Sequence, residues 1–226
     1  CVPSDIVERT ANSVFDWREA ESVYVFTKTE NSIDLRPVFK RFTPENSPPT
    51  LYNHGFENMD SLGALYSRVS SHVFGDWNAC GKVMGLAPWA GYAWTDALGG
   101  KLVAPTIKSP IIKGHVYLED DEKKLIFNRT ALEGMPLIAR NGPDLFESDG
   151  SKKKLYDFDD NDGDTDSETR PRPPLSVALD AIALAHRIQT DLETVAIDFV
   201  RHFKEKTGQS NLCLAGGVAL NSVLNG

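Results

Sequence analysis

The sequence predicts a mixed α/β domain, and three observations carry that reading. Residues 21–27 (Glu-Ser-Val-Tyr-Val-Phe-Thr) are rich in β-branched and aromatic types, the composition of a strand. Residues 175–206 place apolar side chains at three- and four-residue steps, the period of a helix with one buried face. Residues 211–226 run from a short apolar stretch, 212–215, through Gly216-Gly217 into a neutral helix-compatible stretch, which reads as strand, tight turn and helix.

The elements follow in order. Residues 33–40 alternate and pair with 21–27 as a hairpin, with Glu30-Asn31-Ser32 near its turn. Pro37 inside the second run argues for an edge strand. Residues 43–50, with three prolines, form a loop. A helix over 59–72 has Asp60 or Ser61 as its cap and Leu62, Leu65, Tyr66 and Val69 as its apolar stripe. A second short helix covers 81–87 and is stopped by Pro88. Short β segments and turns occupy 101–128. The last helical segment, one long helix or two, carries Leu175, Leu179, Ile182, Ala185, Ile188, Leu192, Val195, Phe199 and Phe203 on its stripe.

Residues 149–174 differ from the rest. Asp157 to Glu168 is strongly acidic and nearly free of apolar residues, and Arg170-Pro-Arg-Pro-Pro174 follows. This composition predicts a solvated loop or disordered insertion. A calcium loop built around Gly163 fails, because its first and last ligands would be Phe158 and Thr169.

Bulk properties exclude more than they assign. The chain has 226 residues, 41% hydrophobic, and a net charge of −8. That balance opposes a general nucleic-acid surface, which needs clustered Lys and Arg. No apolar run approaches the length of a membrane span. Three widely spread cysteines, Cys1, Cys80 and Cys213, fit a reducing, cytoplasmic setting better than a disulfide framework. The start at Cys1, without Met or a signal-peptide pattern, leads us to expect processing or truncation.

The chemistry-bearing candidates are few. In the turn at 215–221, glycines allow close backbone approach, and a following helix start would aim N–H groups at an anion. Asn221 and Asn225, one helical turn apart, would be side-chain contacts. Ordinary packing would produce the same Gly-Gly pair, and neither a dinucleotide fingerprint nor a P-loop is present. In Gly81-Lys-Val-Met-Gly-Leu-Ala-Pro88, two glycines four apart would admit a neighbouring backbone, and Lys82 could hold a carboxylate or phosphate. His54, His72, His115, His186 and His202 show no metal-ligand spacing and read as surface or core histidines. No Ser/His/Asp arrangement is evident, and Cys213 reads as a buried, inert strand thiol. Asn128-Arg-Thr130 matches a glycosylation sequon.

Three blocks occur in a telling order. They are Ser61-Leu-Gly-Ala-Leu-Tyr-Ser67, then Gly81-Lys-Val-Met-Gly-Leu-Ala-Pro88, then Gln189 and Glu193 running to Asn211-Leu-Cys-Leu-Ala-Gly-Gly-Val-Ala-Leu-Asn221. The chain thereby resembles the N-terminal domain of the O-carbamoyltransferase family, which includes nodulation-factor and antibiotic-tailoring enzymes. The resemblance implies a partial actin-like ATPase domain of ribonuclease-H-like architecture, with a nucleotide in its cleft. It implies that Gly216, Gly217 and Asn221 contact the nucleotide, and that Ser61, Gly63, Tyr66, Gly81, Lys82 and Gly85 line or support the cleft. It also implies carbamoyl transfer to the hydroxyl of a small-molecule acceptor. The donor is carbamoyl-adenylate, made from carbamoyl phosphate and ATP in a separate C-terminal domain. A bound metal, usually iron, acts as Lewis acid in such enzymes.

The chain departs from the family pattern in several places. The family's metal-binding histidines precede the first block, where this chain offers only His54, and its partner aspartate follows the Gly-Gly block. No metal ligands are therefore expected within these residues. No Asp-Gly phosphate loop is evident near residues 1–20, and Asn78-Ala79-Cys80 stands where acidic residues are expected. The expectation is a partial domain, inactive by itself, from a carbamoyl-transferring parent. Two other readings stay open. One is the related tRNA threonylcarbamoyl-transfer branch, which the negative charge opposes. The other is a non-catalytic scaffold that kept the fold.

Overall fold

The computed structural model describes residues 17–44, 59–95, 98–117, 124–132 and 175–226. They form a mixed α/β structure of helices and three two-stranded antiparallel sheets, divided into two compact units. The acidic stretch and His54 lie outside the described residues. No described helix is long and apolar enough to cross a membrane.

The first unit contains residues 1–65, 112–127 and 191–226. Strands β1 (Trp17–Lys28) and β2 (Ile33–Pro44) pair antiparallel, each longer than the pattern predicts. The turn falls where expected: Thr29 N donates to Ser32 O at 2.8 Å. Register slips between Glu19 and Ser22, and again between Val23 and Tyr24, mark bulges. With two strands only, Pro37 does sit on an edge strand. Phe39 packs against Phe199 and Phe203 at ring distances of 5.9 and 5.0 Å, an edge-to-face and a tilted contact.

Glu21 fastens this hairpin to the first helix, α1 (Leu62–Phe74). Its Oε1 accepts the Leu62 N–H at 2.7 Å, and its Oε2 accepts Arg41 Nε at 2.8 Å. Arg41 also donates to the Asp60 carbonyl oxygen. Ser61 Oγ accepts the Ala64 N–H at 3.2 Å, so Ser61, not Asp60, supplies the side-chain cap. Two of the helix's first N–H groups are therefore satisfied by protein side chains.

The second unit contains residues 66–111 and 128–190. Tyr66, Val69 and Val73 of α1 are buried in it, as are Val83 of α2 (Cys80–Leu86) and Ala87, at the start of a 3₁₀ turn, Ala87–Gly91. Pro88 ends α2 as the sequence predicts, because it has no N–H for an α-helical bond. Strands β3 (Ala93–Thr95) and β4 (Lys101–Val103) form a small hairpin. In the first unit, β5 (Ile112–Lys113) and β6 (Ile126–Phe127) form another. Asn128, the sequon residue, is half-buried and donates through Nδ2 to the Pro110 carbonyl at 2.9 Å.

Residues 175–207 form one continuous helix, α3 (Leu175–Thr207). At 33 residues it is about 50 Å long. Residues 181–185 are buried at every position, so this part of the helix is core on all sides. Farther along, Ile188, Leu192, Val195 and Phe203 of the expected stripe are below 8% exposure, and Gln189, Asp191 and Ala196 are buried beside them. Lys204 and Lys206 stand in the last turn, and Gly208 follows with φ 67°.

Two predictions follow from these contacts. Glu21→Ala leaves Arg41 mostly buried without its carboxylate and uncaps α1, so it should cost about 3 kcal/mol in urea unfolding. A loss below about 1 kcal/mol would show that the carboxylate is not the tie. His72 is half-buried, its Nε2 has no partner among the described residues, and burial holds its pKa below the usual 6.5. Between its unfolded and folded pKa values the unfolded chain binds the extra proton. Stability is therefore full above about pH 6.5 and falls as pH drops through the lowered folded pKa. His72→Phe should flatten that slope in melts across pH 5–7.

Candidate functional site

The Gly-Gly segment differs from its expected form. Residues 212–215 form no strand among the described residues, and Leu212 and Leu214 are exposed. Cys213 is exposed too, which overturns the expectation of a buried thiol. In place of one helix there is a 3₁₀ turn, Gly217–Leu220, followed by a single turn, α4 (Ser222–Asn225). Such short pieces build almost no macrodipole, so the expected long helix start aimed at an anion is absent here.

Gly216 has φ 99° and ψ 175°, a conformation essentially reserved for glycine. It bends the chain into the 3₁₀ turn, and its carbonyl accepts the Ala219 N–H at 3.1 Å. Gly217 is different: a side chain there would meet no heavy atom within 4 Å. Asn221 is buried and caps α4, its Oδ1 accepting the Leu224 N–H at 3.0 Å. Asn225 Nδ2 donates to the Ala219 carbonyl at 2.7 Å. Both amides thus brace the turn from within.

The other site residues divide between the two units. Gly63 lies against the turn: a Cβ built on it comes within 3.5 Å of Val218. Ser61 is the cap of α1 described above. Tyr66 is a core residue, 5% exposed, and its hydroxyl donates to Gln189 Oε1 at 3.0 Å. It therefore belongs to the buried core of its unit. Gly81, Lys82 and Gly85 are exposed on α2, and Cβ atoms at the two glycines would meet nothing within 4 Å. No described backbone approaches them, contrary to the close-packing expectation.

The structure also assembles a cluster that sequence reasoning missed. Gly114, with φ 91°, turns the chain after β5 so that His115 and Tyr117 reach α3. His115 Nδ1 lies 2.6 Å from Asp198 Oδ2, and the Tyr117 hydroxyl donates to the same oxygen at 2.8 Å. The Tyr117 ring stacks on His202 at 3.9 Å. Burial alone would raise the Asp198 pKa, but hydrogen bonds from His115 and Tyr117, with the His115 and Arg201 charges, outweigh it and hold it low. Burial, then the Asp198 hydrogen bond and charge, raises Tyr117. Asp198 is thus ionised and Tyr117 protonated at neutral pH. One signal was available: His115 and Tyr117 are two apart, which puts both on one side of an extended segment. Among the described residues no group of three or more potential metal ligands converges.

The two glycines should respond differently. Gly216→Ala should cost about 1–3 kcal/mol in thermal or urea unfolding, from backbone strain. Gly217→Ala should change stability by less than about 0.5 kcal/mol, since its surroundings are open. Equal losses at both positions would refute this geometry. Comparison of the chain with family models, curated proteins and solved structures returned no match.

Proposed function

We propose that the chain is part of an O-carbamoyltransferase-like enzyme of actin-like ATPase architecture. The parent would transfer a carbamoyl group from carbamoyl-adenylate to the hydroxyl of a small acceptor. One observation supports the reading beyond the sequence blocks themselves: residues of separate blocks are in contact. Gly63 of the first block faces Val218 of the third in one unit. Tyr66 of the first bonds Gln189 of the third in the other. Residues of blocks far apart in sequence thus meet within each unit.

In this reading the open side of Gly217 faces the nucleotide. Gly216 sets the turn, Asn221 braces it, and Gly63 gives it room. Ser61 holds the start of α1, while Tyr66 and Gln189 fix its buried side. Lys82, exposed between Gly81 and Gly85, is the cation this reading assigns to a phosphate or carboxylate. The transfer itself needs a positioned hydroxyl and a centre that stabilises developing negative charge. The family's metal would supply that centre. Among the described residues no group of potential ligands converges to hold one.

The test is made on the full-length protein. Carbamoyl phosphate, ATP and a panel of hydroxyl acceptors should yield carbamate esters detectable by mass spectrometry, and ATP should give measurable binding heat. Gly217→Val should lower ATP affinity about tenfold or more while leaving the melting temperature nearly unchanged, because a Cβ there meets no described heavy atom within 4 Å and the side chain would stand where the nucleotide binds. Absence of both heat and thermal shift with ATP would favour the scaffold reading. Unchanged affinity in Gly217→Val would remove the turn from the site.

A further inference from the structure

The cluster around Asp198 borders a solvent-open hollow of about 310 Å³ in the first unit. Gly114 and His115 form one wall. Thr194, Val195, Ile197, Asp198 and Arg201 of α3 form the other. The reading above assigns no role to this place.

We propose that the hollow binds a small hydroxyl-bearing anion, with His115 Nε2 taking the ligand hydroxyl and Arg201 taking its anionic group. Asp198 Oδ2, 2.6 Å from His115 Nδ1, orients the ring and leaves Nε2 as the nitrogen that can meet a ligand. The imidazole thus brings a hydrogen-bonding nitrogen to the edge of the hollow, where a ligand hydroxyl can pair with it.

Charge sets the ligand's orientation. The ionised Asp198 repels an anion at its own end, and Arg201, whose charge also acts on Asp198, follows three residues later on α3. That step is about 4.5 Å along the helix axis. A ligand with its hydroxyl at His115 and its charge at Arg201 therefore spans about three carbons. Val195 and Ile197 give its carbon chain an apolar wall. The other titrating groups nearby are Tyr117 and His202, stacked on each other, and Glu205, which acts on Tyr117. Phosphate and carboxylate both suit Arg201, and the two are separated experimentally.

The test follows the imidazole Cε1–H resonances by NMR, with His115 assigned from a His115→Gln variant and His186 as reference. Glycerol 3-phosphate, glycerate, glycerol and inorganic phosphate are titrated separately. At least one of the two hydroxyl anions should shift His115 saturably, binding about tenfold more tightly than glycerol or phosphate. The stronger of the two shows whether phosphate or carboxylate is preferred. Arg201→Gln alters an exposed side chain and should reduce that ligand to the level of glycerol while the His115–Asp198 resonance pattern persists. Three results would overturn the proposal: no His115 shift with any probe, phosphate binding as tightly as the hydroxyl anions, or unchanged affinity in Arg201→Gln.

Discussion

Two carboxylates, two turns apart on one helix, organise the first unit. Asp191 Oδ2 accepts the backbone N–H of Ile112 at 3.0 Å, and Asp198 Oδ2 takes His115 and Tyr117. Seven residues of helix advance about 10.5 Å, while three to five residues of extended chain advance about 10–17 Å. The two repeats match well enough for residues 112–117 to lie along α3, touching one acid near each end. Asp191 is only 3% exposed, and a polar group so deep is tolerated because a hydrogen-bond donor meets it there. Without these acids an extended segment beside a helix would hold only apolar contacts, which fix neither register nor direction.

The same logic recurs at Glu21, whose two oxygens serve a helix N–H and an arginine from the partner strand. In both places a carboxylate joins elements distant in sequence, and in both its second function is to satisfy backbone donors. The apolar core supplies most of the driving force, but it is not directional. The acids supply direction. Thr43 contributes in the same way, as its hydroxyl accepts the Asp60 N–H at 3.3 Å.

Much of the local structure was legible in the sequence. The hairpin, its turn, α1, the stop at Pro88 and the long helix follow from alternation, turn residues, capping and a 3.6-residue period. Their bounds shift by a few residues, because pairing and packing extend elements beyond the pattern that starts them. The C-terminal segment is the counterexample. Residues 212–215 have strand composition, but a strand is defined by a partner, and composition does not provide one. The site was legible only where local spacing governs it. Gly216 needs its backbone freedom and was found. Asn221 is a cap, a role that sequence alone does not separate from a ligand contact. Tyr66 is core, and its bond to Gln189 bridges more than a hundred residues, beyond the reach of any local pattern. The Asp198 cluster joins residues more than eighty apart, and no periodicity reports such a meeting.

Gly114 gives that cluster a chiral origin. At φ 91° the chain takes a path that L side chains resist and D side chains accept. A D-alanine introduced there by semisynthesis would fit the same bend as its mirror image would not. The meeting of imidazole, phenol and carboxylate thus depends on handedness at one atom that natively has none.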